Sequence, residues 1–102
     1  MKTDKLIRIS ELCSHYQIER SFFDEIEYYE LIEIHIGSTE KFIHQKHLSK
    51  LEKIIRLRDE LEINMQGIDV VLEMMSKIKK LKRELKQVQI KLSFYENDGE
   101  DF

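Results

Sequence analysis

Residues 20–43, RSFFDEIEYYELIEIHIGSTEKFI, decide the fold because a helical pattern is followed there by a hairpin pattern. At about 100° per residue, four aromatic or aliphatic side chains fall on one face of a helix: Phe22, Phe23, Ile26 and Tyr29. The opposite face carries polar side chains and one tyrosine: Arg20, Asp24, Glu27 and Tyr28. This segment therefore predicts a helix with a buried apolar face and an exposed acidic face.

The second half of this stretch predicts two short paired strands. Apolar and polar residues alternate from Ile32 to Ile36, as they do on a half-buried strand. Gly37-Ser38-Thr39 is turn chemistry, and Lys41-Phe42-Ile43 can return beside the first strand. We therefore expect a small β-hairpin, or wing.

Upstream, residues 6–9, LIRI, are a short apolar run that predicts a strand before the first helix. Ser10 is the expected N-cap of that helix and Ser21 the expected N-cap of the second. Serine suits both places because its hydroxyl accepts the free amide hydrogens of a helix start. Two short helices joined by a few residues predict a helix-turn-helix.

Downstream, residues 45–61 predict a third helix whose apolar side chains cover about half of its circumference, as in a helix packed between other elements. These side chains are Leu48, Leu51, Ile54, Ile55, Leu57 and Leu61. Asn64 is the expected N-cap of a fourth and much longer helix.

The fourth helix has apolar residues at alternating spacings of three and four: Val71, Met74, Ile78, Leu81, Leu85, Val88, Leu92 and Tyr95. This is the spacing of a coiled-coil seam, and the rest of so small a domain could not cover the whole stripe. The pattern predicts a homodimer with these interface residues: Ile78, Leu81, Leu85, Val88 and Leu92.

These elements predict a mainly α protein in three parts. Residues 1–62 form a winged helix-turn-helix with a small β wing, and residues 63–95 form a long C-terminal dimerisation helix. Residues 96–102 are an acidic tail without periodicity and are expected to fray.

Length and composition exclude several protein classes. The chain has 102 residues, a net charge of −3 and one cysteine, Cys13, so it fits one small domain and cannot form an internal disulfide. The N-terminus lacks the apolar core of a signal peptide, and no stretch approaches the roughly 20 apolar residues of a membrane span. We expect a cytoplasmic protein with no membrane partner.

Enzyme motifs are missing from the sequence. It has no glycine-rich phosphate loop, no GxSxG and no HExxH. His44 and His47 lie three residues apart and could share a metal, but no third ligand accompanies them, and Cys13 is expected to fill the core. We therefore expect no catalytic residue, no metal and no cofactor.

Charge is unevenly distributed along the chain. Residues 19–33 carry six carboxylates and one arginine, a local charge of −5, which suits either a solvated face or a surface for a basic partner. Residues 77–91 carry seven cations and one glutamate, a local charge of +6. That basic run could contact nucleic acid, although flanking positions of coiled coils are commonly this basic.

The order of elements resembles the MerR superfamily, and so does Ile26-Glu27-Tyr28-Tyr29-Glu30. DNA-binding members have an aliphatic residue, an arginine, two tyrosines and a glutamate there. Glu27 replaces that arginine and puts a carboxylate where a DNA phosphate would lie, so duplex DNA is not an expected partner. The cysteines of metal-sensing members, at both ends of the long helix, are also missing.

The chain also resembles the CbpM family of MerR-like chaperone modulators, over about residues 7–92. The matching residues are Ile9-Ser10-Glu11-Leu12-Cys13, Leu57-Arg58-Asp59-Glu60-Leu61, and Gly67-Ile68 with Leu72, Met75, Ile78 and Leu81. The resemblance implies a non-enzymatic dimer that binds the J-domain of a DnaJ/CbpA-type co-chaperone and blocks its action on Hsp70. A MerR-family DNA-binding transcriptional regulator is the alternative.

If this resemblance holds, the exposed face of the second helix is the expected partner-binding surface. J-domains present a basic helix to Hsp70, and acidic side chains are complementary to it. The expected contact residues are Asp24, Glu25, Glu27 and Tyr28, with Tyr28 as the anchor.

Overall fold

The computed structural model describes residues 5–100, in which four α-helices accompany one three-stranded antiparallel sheet. In chain order the elements are β1 (Leu6–Arg8), α1 (Ile9–Tyr16), α2 (Arg20–Tyr28), β2 (Ile34–Ile36), β3 (Lys41–His44), a 3-10 helix (Gln45–His47), α3 (Leu48–Asp59) and α4 (Met65–Glu100). The predicted fold class is confirmed: a mainly α winged helix-turn-helix with a small wing and a long C-terminal helix.

The sheet joins the predicted first strand to the predicted wing. Its strand order is β1-β3-β2, with Ile7 opposite Ile43 in one pair and Ile34 opposite Ile43 in the other. Ile43 lies on the central strand and is fully buried. The helix-turn-helix and the wing are therefore tied together through β1, a pairing that the sequence did not predict.

Gly37 allows the tight turn of the wing. Its amide donates a hydrogen bond to the Glu40 carbonyl oxygen at 2.7 Å. A Cβ atom at this position would lie 2.9 Å from the Phe42 ring and 3.0 Å from the Glu40 carbonyl oxygen, closer than carbon atoms normally pack. Glycine is required here because of this close approach and not because of a left-handed backbone.

The core lies where α1, α2, α3, the sheet and the first turn of α4 supply their apolar faces. Its largest fully buried side chains are Ile9, Phe23, Ile26, Ile43, Leu51, Ile54 and Ile68. Three of the four residues of the predicted apolar face of α2, Phe22, Phe23 and Ile26, are buried, whereas Tyr29 lies just after the end of the helix and is half-buried. Burial of each such side chain contributes on the order of 1.5–3 kcal/mol to stability.

Two predicted helix starts are wrong. α1 begins at Ile9 and α2 at Arg20, and the residues before them, Arg8 and Glu19, make no side-chain capping bond. Ser10 instead donates a hydrogen bond to the Glu40 carboxylate at 3.2 Å. The expected cap at Asn64 is confirmed, because its side-chain oxygen accepts a hydrogen bond from the Gly67 amide at 2.8 Å.

The third helix is shorter than predicted, and the fourth is longer. α3 ends at Asp59, so Leu61 lies outside it and is 63% exposed, whereas Leu51 and Ile54 are buried as expected. α4 has 36 residues, and the tail expected to fray is helical as far as Glu100, while residues 101–102 lie outside the described residues. Among residues 5–100, no helix is both long and apolar enough to cross a membrane.

The chain divides into two compact units, residues 1–69 and residues 70–102. The first turn of α4 belongs to the first unit, where Met65 and Ile68 are buried. The predicted boundary between residues 62 and 63 therefore lies seven residues before the observed division.

Gln17 follows α1 in a left-handed conformation, with φ 55° and ψ 52°. The amide of Ile18 donates a hydrogen bond to the Cys13 carbonyl oxygen at 3.0 Å, which closes the end of the helix. Side chains with a Cβ atom are strained in this conformation and glycine is not.

Gln17→Gly is therefore expected to raise the free energy of unfolding by about 0.5–1 kcal/mol. The matched control is Ser14→Gly, an exposed position inside α1, where glycine should lower the free energy of unfolding by a similar amount. Urea unfolding of both variants makes the comparison. A loss of stability in both would show that the left-handed backbone at Gln17 does not limit stability.

Candidate partner-binding surface

The four residues predicted to bind a partner all lie on α2, but they are not equally available. Asp24 and Glu25 are exposed, and Tyr28 is 79% exposed. Glu27, in contrast, is half-buried and makes an ion pair. Since Phe22, Phe23 and Ile26 hold the opposite face of the helix in the core, Asp24, Glu25 and Tyr28 are presented outward.

Glu27 is paired with Lys41, the first residue of β3. The Lys41 Nζ atom lies 2.8 Å from the Glu27 Oε1 atom, and each side chain keeps 36% of its surface exposed. An ion pair with this exposure contributes about 0.2–1 kcal/mol to stability. Glu27 therefore connects α2 to the wing and is less exposed than the helical projection predicted.

Tyr28 offers the largest exposed apolar surface on α2. Its ring meets the Tyr29 ring edge to face, with centroids 5.0 Å apart and an interplanar angle of 87°. The half-buried Tyr29 supports the exposed ring from behind. A partner could therefore bury an aromatic ring whose position is already restrained.

An open groove of about 360 Å³ lies between the end of α2 and β2. It is lined by three glutamates, Glu27, Glu30 and Glu33, and by two isoleucines, Ile32 and Ile34. Such a groove suits a lysine or arginine side chain, whose stem can cover apolar surface while its charged end meets carboxylates. The sequence placed these glutamates in one acidic run but did not predict the groove, which exists only because β2 folds back beside α2.

The histidines do not form a metal site in this structure. The rings of His44 and His47 are 6.5 Å apart, and the Nδ1 atom of His44 accepts a hydrogen bond from the Lys46 amide at 3.0 Å. Within the described residues, no three side chains of the types His, Cys, Asp and Glu are placed to share an ion. Cys13, expected in the core, is only half-buried.

Tyr16 on α1 has a raised pKa. Burial, a hydrogen bond of 2.7 Å donated to the Glu52 carboxylate and the negative charge of Glu52 together raise the pKa of its phenol to about 12. The phenol therefore remains a neutral donor at physiological pH. Its geometry ties α1 to α3 and offers no activated nucleophile.

Burial lowers the pKa of His47 below its usual value of 6.5, and Lys46 and Lys50 lower it further. Glu33 acts in the opposite direction but does not overcome burial. The His47 Nε2 atom is buried and has no hydrogen-bond partner among the described residues. The folded protein therefore favours the neutral imidazole.

Because of His47, the free energy of unfolding is expected to fall as the pH drops below about 6.5. Above the unfolded-state pKa of about 6.5, His47 is neutral in both states and does not oppose folding. As the pH falls from there toward the lower folded-state pKa, protons bind preferentially to the unfolded chain and the free energy of unfolding decreases. His47→Gln should flatten this pH dependence in urea unfolding between about pH 7.5 and pH 5. Equal pH slopes in the two proteins would contradict the assignment to His47.

The five residues predicted to form a dimer interface are solvent-exposed in the single chain. Their exposed fractions are 51% for Ile78, 62% for Leu81, 57% for Leu85, 60% for Val88 and 54% for Leu92. A row of large apolar side chains in contact with water is unfavourable, so this face of α4 suits burial against another helix.

Comparison with known proteins identifies the family of the chain. The family model described as "MerR HTH family regulatory protein" matches residues 7–89, which include the helix-turn-helix, the wing, α3 and most of α4. No curated protein and no solved structure shows significant similarity to the chain. Since the match spans most of the sequence and agrees with the fold, this chain belongs to the MerR family of helix-turn-helix regulatory proteins.

Proposed function

We propose that this protein is a non-enzymatic chaperone modulator that binds the J-domain of a DnaJ/CbpA-type co-chaperone and inhibits its stimulation of Hsp70. The proposal rests on the surface of α2 and on the resemblance to the CbpM family. The observation that carries it is the ion pair between Glu27 and Lys41.

This ion pair makes α2 a poor surface for DNA phosphates. The resemblance to DNA-binding MerR proteins leads one to expect an arginine where this chain has Glu27. Here the position holds a carboxylate, and Lys41, the nearest cation of the wing, is engaged by that carboxylate at 2.8 Å. A helix-turn-helix uses cationic side chains that contact the DNA phosphates to position itself on a duplex. Glu27 provides a negative charge at this place instead.

The same surface is complementary to a basic protein helix. Asp24 and Glu25 are exposed and can steer a cationic partner, while Tyr28 supplies apolar contact. The groove bordered by Glu27, Glu30 and Glu33 can accept one lysine or arginine of that partner. A J-domain, which presents a basic helix to Hsp70, has the required chemistry. If this protein bound that helix, it would compete with Hsp70 for the same surface.

We also infer that the protein acts as a homodimer through α4. The exposed apolar row on α4 supports this inference, since it repeats at coiled-coil spacing over several turns. A dimer would carry two α2 surfaces and could bind two J-domains.

The first test is titration of the J-domain into the wild-type protein and into a variant with Asp24→Lys and Glu25→Lys. The double reversal is expected to weaken binding by on the order of 1–3 kcal/mol, mainly through slower association. Glu27 is left unchanged because its reversal would place a second positive charge beside Lys41 and disturb the wing.

The matched control carries the same charge change at Glu60 and Glu62, which are exposed and lie outside α2. It should bind like the wild type, which separates a local effect from the change in net charge. Equal affinity in the α2 variant, with its helicity preserved, would contradict the proposed surface. Failure of the wild-type protein to bind any DnaJ/CbpA-type J-domain would contradict the proposed function.

The second candidate function is that of a DNA-binding transcriptional regulator. The description of the matching family model as a helix-turn-helix regulatory protein favours it. A mobility shift with random-sequence and genomic duplexes separates the two candidates. Salt-sensitive, sequence-selective binding at sub-micromolar protein would support the regulator and count against the J-domain proposal.

A further inference from the structure

A second row of exposed side chains runs along α4 on the side opposite the apolar heptad row. It contains Lys79, Arg83, Lys86, Ile90 and Phe94, and we name these five residues the outer strip. At about 100° per residue they fall within one arc of roughly 80°. Ile90 is 47% exposed and Phe94 is 67% exposed.

A dimer formed through the heptad row would leave the outer strip in water. In a two-stranded coil the residues on the opposite side of each helix face solvent and are usually polar. Ile90 and Phe94 are exceptions because they are large and apolar. They are four residues apart and are therefore neighbours on the helix surface. Two adjacent large apolar side chains in this position indicate a contact other than the dimer interface.

The charge of the outer strip is uniformly positive. Lys79, Arg83 and Lys86 lie within about two helical turns of one another. Among the described side chains of α4, the acidic residues Asp69, Glu73, Glu84 and Glu96 all fall outside this arc of the helix. The strip therefore combines a cationic half with an apolar half.

We propose that the outer strip binds an acidic amphipathic helix of a partner protein. Carboxylates of that helix would pair with Lys79, Arg83 and Lys86, and its apolar residues would cover Ile90 and Phe94. The spacing of the strip, in steps of three and four residues, is that of two helices packed side by side. A nucleic-acid backbone would satisfy the cations but provides no apolar surface for Ile90 and Phe94. The combination of positive charge and apolar surface therefore favours a protein partner over a nucleic acid.

The outer strip is independent of the proposed J-domain surface. It lies on α4 and not on α2, and it would bind an acidic partner where the α2 surface would bind a basic one. The strip is also separate from the heptad row, so its substitutions should not change the oligomeric state. A failure of this inference and a failure of the proposed function can therefore be distinguished.

The test uses the full chain and a synthetic helical peptide of about three heptads, with glutamates at three-four spacing followed by two leucines. Fluorescence anisotropy is expected to detect binding that weakens with salt. Arg83→Glu with Lys86→Glu should weaken this binding at least about tenfold, and Phe94→Ser should weaken it about fivefold. The control pair Lys46→Glu and Lys50→Glu, exposed and outside α4, should change it less than about twofold.

Circular dichroism and sedimentation of each variant establish that helicity and assembly are unchanged. The inference would be overturned by no peptide binding up to about 1 mM, by equal binding of a scrambled peptide with the same composition, or by an unchanged affinity in the variant with Arg83→Glu and Lys86→Glu. A short random-sequence duplex that binds more tightly than the peptide through the same residues would assign the strip to nucleic acid and reject the protein partner.

Discussion

Replacing Leu85 and Val88 with aspartate is expected to convert a dimer into monomers. Both residues lie in the apolar row of α4 and are more than half exposed in the single chain. In a coiled coil each would enter a desolvated seam, where an unpaired carboxylate is strongly unfavourable. With two substitutions in each chain, the dimer dissociation constant should rise at least about a thousandfold.

Sedimentation velocity at tens of micromolar protein measures the effect. The matched control carries Ser76→Asp and Gln87→Asp, which add the same charge on the far side of α4 and should remain dimeric. Because Leu85 and Val88 lie outside the first compact unit, the core of that unit should persist in the monomer. A wild-type chain that is already monomeric at these concentrations would contradict the dimer proposal.

The periodicity of apolar residues was sufficient to predict α2 and β2. In α2, Phe22, Phe23 and Ile26 recur at helical spacing, and the structure buries all three. The alternation from Ile32 onward likewise predicted the strand that pairs with β3. In α2 the burial of the apolar face dominates local preferences. β2 has no fully buried residue, and Ile36 is 71% exposed, so its alternation predicts a strand whose position is fixed by pairing with β3.

The predicted helix starts failed because tertiary packing overrides a local capping preference. Ser10 is a good cap by chemistry, but Ile9 is buried at 1% exposure and follows a strand whose last residue, Arg8, pairs with Phe42. The chain must therefore enter α1 immediately after β1. Residue preference at a cap contributes about 1 kcal/mol, which is less than the burial of an isoleucine contributes.

The candidate site was predictable in part. A helical projection placed Asp24 and Tyr28 outside the core, and the structure exposes both. The same projection could not reveal that Glu27 binds Lys41, because the two residues are 14 positions apart and meet only when the wing folds beside α2. Contacts between elements, such as this ion pair and the groove beside it, carry no periodic signal in a single sequence.

Tyr28→Ala is expected to weaken binding to the J-domain by about 2 kcal/mol, or roughly thirtyfold, if the proposed function holds. The ring is 79% exposed before binding and is restrained by its edge-to-face contact with Tyr29, so little conformational freedom is lost when a partner covers it. Removal of apolar contact acts after the encounter, and we expect faster dissociation with nearly unchanged association.

Tyr28→Phe is the matched control, since it keeps the ring and removes only the hydroxyl. If the ring is the anchor, this variant should bind within about threefold of the wild type. The kinetics then separate two roles on one helix: charge reversal at Asp24 and Glu25 slows association, whereas loss of the Tyr28 ring speeds dissociation. Unchanged dissociation in Tyr28→Ala, together with weaker binding of the charge-reversed protein, would mean that carboxylates alone recognise the partner and that the exposed ring of α2 lies outside the interface.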